Sequence, residues 1–364
     1  MTPLRLAIDV GPLYGHRTGV GTAVAGIVAA LDGRADVSLE PYLVSRRATL
    51  RDGHRRLPLP GIVASHLWSR GRGPTADRWL RDADVLHGTN YVAPPSSLPT
   101  VVSVYDCWFL RHPELASPVV RRAGATLRRA VERGAWVHAS SDATADEVRS
   151  LLGTDRVRTV FLGAPAQVER DEATPPPLAS ELGGRHYVVA IATEERRKGL
   201  PLLVEAFEHL AGDHHDLLLV LAGAPGDDSP GIDRLIADAG SHTRARIHRL
   251  GPVDEPTKRW LVRHGAVLAY PSLDEGFGFP ILEAQAAGTP VVATRVGSIP
   301  EIAGDAAFLV EDRDAMTLAE AIDHVLSDGA ARLGLIEAGY RNTGRFRWAT
   351  TADRLLDLYR TAAA

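Results

Sequence analysis

Short apolar runs alternate with longer stretches of helical period along this chain, the pattern of parallel strands covered by helices. In the first half the alternation predicts strands at 4–10, 84–88, 100–105, 135–140 and 157–161. Helices are predicted near 19–31, 118–133 and 142–152, with Asp142 as the N-cap of the last. The stretch 163–185 contains Pro175-Pro176-Pro177, several charges and little periodicity, and reads as a linker. A second series follows, with strands near 186–192, 216–222, 246–250, 266–270, 290–294 and 307–310, a helix at 200–210 and a final helix at about 348–361. Two such series predict two α/β units with parallel sheets, which take ligands at the carboxyl ends of their strands. Short-period repeats and low-complexity tracts are absent from the sequence.

Length and composition agree with two units. The 364 residues exceed the roughly 100–200 of a usual domain, and 45% hydrophobic content can fill a core in each half. A net charge of −4 leaves no footprint for nucleic acid across the molecule. The single cysteine, Cys107, excludes an internal disulfide and a cysteine-based zinc cluster and suits a reducing cytoplasm. We see no signal peptide before Leu4-Arg5-Leu6-Ala7-Ile8, and no apolar run approaches the ~20 residues that span a bilayer. The expectation is a cytoplasmic protein, soluble or peripheral at the inner face of the membrane.

The chemistry concentrates in two places. In the first, 274–294, Glu275 precedes Gly276-Phe277-Gly278-Phe279, Pro280 suits the first helical position, and Glu283 falls on the opening turn of a helix that Gly288 stops. Glycines allow close approach of the main chain to a ligand, and first-turn N–H groups favour an anion such as a diphosphate. The second is Thr193-Glu194-Glu195-Arg196-Arg197-Lys198-Gly199, between a strand and a helix. Of 41 basic residues only Lys198 and Lys258 are lysine, so a lysine here is a pointed choice. Arg197 and Lys198 would stabilise negative charge growing on a leaving diphosphate, one as a fork and one as a point charge. Arg196 could simply face water.

Glutamate, seven residues and a second glutamate, within EGFGFPILEA and followed by GTPVVAT, resembles the donor-binding signature of retaining glycosyltransferases of family four. The resemblance extends almost end to end. Leu86-His87-Gly88-Thr89-Asn90-Tyr91, Pro94-Pro95 and the stretch 109–114 are similar to first-domain segments of bacterial mannosyl- and rhamnosyltransferases, and Gly19-Val20-Gly21 to their first glycine loop. Tyr270-Pro271-Ser272 before the signature and Gly297-Ser298-Ile299-Pro300-Glu301 after it keep the family's order. The resemblance implies a GT-B fold: two Rossmann-like parallel-sheet domains facing a central cleft. The acceptor-binding domain would span 1–165 and the nucleotide-sugar-binding domain 178–345, with a helix at 346–364 packed back on the first.

It also implies retaining transfer of a hexose from a nucleotide-diphosphate sugar, with GDP-mannose as first guess, to a saccharide, lipid-linked or metabolite acceptor. Glu275 would bind sugar hydroxyls, Glu283 the nucleoside ribose, Phe277, Gly278 and Phe279 the sugar and phosphate through their backbone, and Arg197 with Lys198 the diphosphate. Gly19 and Gly21 would lie near the donor phosphates and acceptor. No cofactor or metal is expected, since no histidine–carboxylate cluster has ligand spacing. Two departures stand out. Tyr105 occupies the place of a family histidine that holds the transferred sugar, and Thr193 that of an additional arginine. A tyrosine hydroxyl can hydrogen-bond but carries no positive charge, which leaves open a competent variant with Tyr105 in the catalytic set, an altered donor sugar, or a non-catalytic binding subunit. His87, His112 and His138 are nearby substitutes, His138 reading as a core residue. A sugar-nucleotide epimerase is a further alternative. Arg46, Arg47, Arg51, Arg55, Arg56, Trp68, Arg70 and Arg72, with Arg121, Arg122, Arg128, Arg129 and Arg133, form a basic, partly aromatic region that could sit on anionic lipid or be ordinary solvated surface.

Overall fold

The computed structural model describes residues 2–15, 18–165, 179–182 and 184–364. Much of the linker expected at 163–185, including its proline run, lies outside the described residues. The chain divides into two compact units, Met1–Gly163 with Phe346–Ala364, and Ala164–Arg345.

The first unit is built on seven parallel strands: β1 (Leu4–Asp9), β2 (Val37–Val44), β3 (Arg55–Leu57), β4 (Val85–Gly88), β5 (Thr100–Val104), β6 (Trp136–Ala139) and β7 (Val157–Thr159). Their order is β3-β2-β1-β4-β5-β6-β7, so the winding reverses between β1 and β4. β2 and β3 escape the periodicity reading. β2 carries Glu40 and Pro41, which break an apolar run, yet it lies between β1 and β3 with Pro41 opposite Ile8. Tertiary pairing overrides a local signal that ordinarily demotes a proline-containing run to an edge. The helices Gly19–Leu31 and Asp142–Leu152 match the sequence pattern, but Ser141 and not Asp142 is the N-cap of the second. The Ser141 hydroxyl accepts the Thr144 N–H at 3.0 Å, and Asp142 follows as the first-turn acid, where it complements the helix dipole.

The final helix, Trp348–Ala363, belongs to this first unit. Thr351 donates to the Phe161 carbonyl at 2.8 Å, Arg34 pairs with Asp353 at 2.8 Å, and Arg360 with Asp36 at 3.0 Å. A buried polar chain adds to these contacts. Tyr359 Oη lies 2.8 Å from His87 Nδ1, His87 Nε2 2.8 Å from Ser103 Oγ, Ser103 Oγ 2.8 Å from His138 Nδ1, and His138 Nε2 3.0 Å from the Val160 carbonyl. A carbonyl only accepts, so His138 Nε2 carries the proton and Nδ1 accepts from Ser103. Ser103 therefore accepts from His87 Nε2, and His87 Nδ1 accepts from Tyr359. With both rings neutral, the form that burial favours, the chain runs one way only. Burial agrees, lowering His87 well below its ordinary value and His138 to about 4. His87, like His138, is thus a core residue and no substitute for the family histidine.

The basic region of this unit is largely tied to its own backbone and carboxylates. Arg55 lies 3.3 Å from Glu40, Arg56 donates to the carbonyls of Arg46 and Ala48, and Arg129 donates to that of Ser69. Trp68 is buried and donates to the Pro74 carbonyl at 3.3 Å, so the aromatic member of the region is not on the surface.

The second unit has six parallel strands: β8 (Tyr187–Ile191), β9 (Leu218–Ala222), β10 (Ile247–Gly251), β11 (Val267–Tyr270), β12 (Val291–Thr294) and β13 (Phe308–Val310). The order β10-β9-β8-β11-β12-β13 reverses between β8 and β11. Val, Leu and Ala dominate β8, β9, β11 and β12, and helices Leu200–Asp213 and Ala315–Ser327 close one face with Leu203, Phe207, Leu318 and Ile322.

Tyr359→Phe removes the donor to His87 and leaves a buried acceptor unsatisfied, so it should lower stability by about 1–3 kcal/mol in urea titration. Histidines in the unfolded chain take protons near 6.5 while His138 resists until about 4, so stability should fall as pH drops through that window. Asp9, raised by burial to about 6, acts in the opposite sense, and Asp9→Asn should steepen the acid loss.

Candidate active site

The second sheet delivers its chemistry to the point where its winding reverses. Lys198 follows β8 and Glu275 follows β11, and these neighbouring strands point their carboxyl ends the same way. A ligand crevice belongs at such a place. The two loops are stitched by backbone, with Leu273 N–H donating to the Arg197 carbonyl at 2.7 Å. Gly199 makes the stitch possible: its φ is +62°, and a Cβ there would lie 2.1 Å from the Pro271 carbonyl oxygen.

Side chains complete the junction. The Lys198 ammonium donates to Glu275 Oε2 and, at 3.2 Å, to the Tyr270 hydroxyl, which itself donates to Glu275 Oε2 at 2.5 Å. Arg197 Nη1 lies 3.9 Å from the same oxygen, and its Nε donates to Glu195 at 2.8 Å. The Lys198 and Glu275 side chains are only 11% and 10% exposed, so the pair is largely desolvated. Burial alone would raise the Glu275 carboxyl, but the charges of Lys198 and Arg197 and the hydrogen bonds from Lys198 and Tyr270 hold it at about 2. Burial pulls Lys198 below its ordinary value, against the attraction of Glu275. Both hydrogen bonds to Glu275 fall on Oε2, and Oε1 keeps its capacity to accept from a ligand. Arg196 is exposed, as expected for a residue that faces water.

The helix Phe279–Ala287 opens one residue earlier than its sequence suggests, with Phe279 first and Pro280 second. Glu283 consequently falls on the second turn and not the opening one. Gly278, at φ +92°, is the N-cap and brings no side chain to cap the first turn. Phe277 is buried, and its ring meets that of Phe279 edge-on at 5.0 Å. Glu283 Oε1 accepts from Lys258 at 2.7 Å, while its Oε2 is buried and has no hydrogen-bond partner among the described residues.

Tyr270, Lys258 and the pair Glu194–Arg249 were not assigned roles by sequence reasoning. Glu194, 3% exposed, is gripped by Arg249 and by Ser229 at 2.5 Å, which fixes the loop after β8 against that after β9. The rarity of lysine pointed to Lys258; nothing local marked Arg249 among so many arginines.

The other expected site residues lie in the first unit. Gly19 and Gly21 are in the first turn of the helix Gly19–Leu31, where Gly21 N–H meets the Thr18 hydroxyl at 3.4 Å; Gly19 is exposed and Gly21 buried. Tyr105 is buried, and its hydroxyl donates to the Thr89 carbonyl at 2.9 Å. That bond and the edge-on contacts with Tyr91 and His138 pack Tyr105 into the first unit just after β5. His112 sits beside Glu114 at 3.4 Å and against the Trp108 ring. Among the described residues no group of three or more His, Cys, Asp or Glu side chains is placed to hold a metal.

Two parallel-sheet α/β units, each with its winding reversed at one point, make up the GT-B fold of glycosyltransferases. Residues 179–342 match the family of glycosyl transferases group 1. The chain is 30% identical over 315 residues to a D-inositol 3-phosphate glycosyltransferase 1 of Catenulispora acidiphila, covering 77% of this chain and 73% of that protein. It is 27% identical over 297 residues to O-antigen chain mannosyltransferase B of Escherichia coli, covering 79% and 77%. Among solved structures, Anabaena HepE in complex with UDP-glucose superposes with a TM-score of 0.71 at 17% identity, over 98% of this chain and 100% of that one. The chain belongs to the group 1 glycosyl transferase family and is a glycosyltransferase.

Removing one member of a buried ion pair strands the other. Lys198→Met should destabilise the second unit by about 3 kcal/mol in urea titration, and Lys198→Met with Glu275→Leu should recover most of that loss. Equal destabilisation by the single and double variants would contradict the pairing.

Proposed function

We propose that this glycosyltransferase takes a hexose from a nucleoside-diphosphate sugar held in the second unit and transfers it with retention of anomeric configuration. The observation that supports this most is the junction of Lys198, Arg197, Tyr270 and Glu275 where the winding of the second sheet reverses. An ammonium and a guanidinium fixed in a partly dry crevice stabilise charge that develops on a departing diphosphate without reorganising at the moment of reaction. Lys198 uses two of its three donors on Glu275 and Tyr270, which leaves one for a phosphate oxygen. Glu275 Oε1 accepts from a sugar hydroxyl, the uncapped first turn at Phe279 receives phosphate oxygens, and Glu283 holds the ribose. The leaving phosphate takes the acceptor's proton on the face it departs from, so no covalent enzyme intermediate is required. Arg197 and Lys198 supply the positive charge, and the reading needs no metal.

GDP-mannose is the first donor to test, since one relative is named a mannosyltransferase. The HepE complex makes UDP-glucose the second. Transfer is favoured over epimerisation by family membership. For the acceptor, a lipid-linked saccharide draws support from the first unit, where Ile62, Val63, Val119 and Val120 are exposed on two helices joined by Arg122 and Ser65 at 3.2 Å, with arginines around them.

Calorimetry with GDP-, UDP-, dTDP- and ADP-sugars should reveal selective binding of one base. Turnover of that donor should give a product of unchanged anomeric configuration by proton NMR and be insensitive to EDTA. Glu275→Ala and Lys198→Ala, assayed where both remain folded, should lower turnover at least ~10²-fold. No binding across the panel, or an inverted product, would defeat this reading.

A further inference from the structure

Beside the cations of the second unit stands a carboxylate that the donor reading does not use. Arg197 Nε donates to Glu195 Oε2 at 2.8 Å, and the two side chains are 21% and 40% exposed. Burial is the main influence pulling the Lys198 ammonium below its ordinary value, opposed by the charge of Glu275 and, more weakly, by that of Glu195. One negative charge therefore acts on both cations. The Glu195 N–H donates to the Thr193 carbonyl at 2.7 Å, its carbonyl accepts from the Lys198 N–H at 2.8 Å, and the Arg196 N–H donates to Asp227 at 3.1 Å. Glu194, just before it, is buried and held by Arg249 and Ser229. The Glu195 carboxylate is thus carried on a fixed loop.

Such a carboxylate opposes the ligand that its neighbours attract. Its pair with Arg197 contributes little to folding, since both groups are partly solvated and lie two residues apart. Its effect on an anion is larger. A guanidinium that holds a carboxylate on Nε and a phosphate on its outer nitrogens keeps the two anions about 7 Å apart. At that separation, in surroundings close to water, each unit of charge changes an affinity about three- to fourfold. Substrate and product of the proposed transfer differ by one such unit. When the bond from the anomeric carbon to the phosphate oxygen breaks, the electron pair stays on that oxygen, the acceptor's proton joins it, and at pH 8 that proton passes to water. A nucleotide sugar thus carries about two negative charges, and the nucleoside diphosphate left behind about three.

We infer that Glu195 is a specificity-determining residue that sets the diphosphate site against its own product, weakening the free nucleoside diphosphate more than the nucleotide sugar and so favouring exchange of product for donor. The inference rests on the reading of Arg197 and Lys198 as the diphosphate cations. Glu195 need not touch the ligand, and its charge acts across Arg197.

The experiment is calorimetric titration of the full chain at pH 8 in metal-free buffer with GDP, UDP, ADP and dTDP and with GDP-mannose, UDP-glucose, ADP-glucose and dTDP-glucose, for the wild type, Glu195→Gln and Glu195→Asp. For the base that binds, Glu195→Gln should tighten the diphosphate about tenfold or more and the nucleotide sugar by a smaller factor, shifting their ratio about three- to fourfold towards the diphosphate. Glu195→Asp keeps the charge and should keep the wild-type ratio. A residue that only holds the Arg197 side chain in place predicts the reverse: glutamine retains an oxygen acceptor for Nε, the shorter aspartate withdraws it, and both ligands weaken together in Glu195→Asp. An unchanged ratio in Glu195→Gln, or a ratio shifted equally by both variants, overturns the inference and leaves the transferase reading intact. Failure of the wild type to bind any of the eight overturns both.

Discussion

The second unit turns on one desolvated contact, the ammonium of Lys198 against the carboxylate of Glu275. Bringing two charges out of water is unfavourable unless geometry and further hydrogen bonds compensate. Here Tyr270 donates to the carboxylate and accepts from the ammonium, and Arg197 adds a second positive charge. The contact joins loops that are 77 residues apart in sequence but leave adjacent strands. Hydrophobic burial builds the sheet without specifying which loop meets which; the ion pair and the backbone stitch from Leu273 to Arg197 settle that locally. A group held in this way serves stability poorly compared with an apolar substitute, and a buried charged pair of this kind is a functional-site candidate.

Glu275 and Glu283 show one principle at different degrees. Each is held through one oxygen by a lysine. The first is gripped from three sides and lies low in pKa at about 2; the second is held by Lys258 alone among the described hydrogen bonds to its side chain. The first unit follows a different logic. Its one-way hydrogen-bond chain from Tyr359 to Val160 satisfies four buried side chains and ties the last helix to β4, β5 and β6, leaving none of them available for chemistry.

Much of this was legible before the fold was known. Helical period placed Gly19–Leu31 and Asp142–Leu152, and apolar runs marked the strands of the second sheet, most plainly β8, β9, β11 and β12, which are buried almost throughout. The motifs also indicated Lys198 and Glu275, since rare lysine and paired glutamates are local signals. Three things were not legible. β2 hides behind Glu40 and Pro41, whose unfavourable local character is overruled by pairing on both sides. Tyr105 was read from its place in a motif, whereas its hydroxyl had a nearer partner in the Thr89 carbonyl, which no sequence spacing reveals. Tyr270 and Arg249 act through partners far along the chain, Tyr270 on Lys198 and Arg249 on Glu194, and only the folded sheet brings these together.

The most direct test is a crystal structure of the protein with the nucleotide sugar that binds it most tightly. The account predicts diphosphate oxygens within hydrogen-bond distance of Lys198 Nζ and the Arg197 guanidinium, the ribose on Glu283, and the sugar on Glu275 Oε1 with Tyr270 still bonded to Oε2. A nucleotide sugar bound away from the carboxyl ends of β8 and β11, with Lys198 and Glu275 untouched, would contradict it.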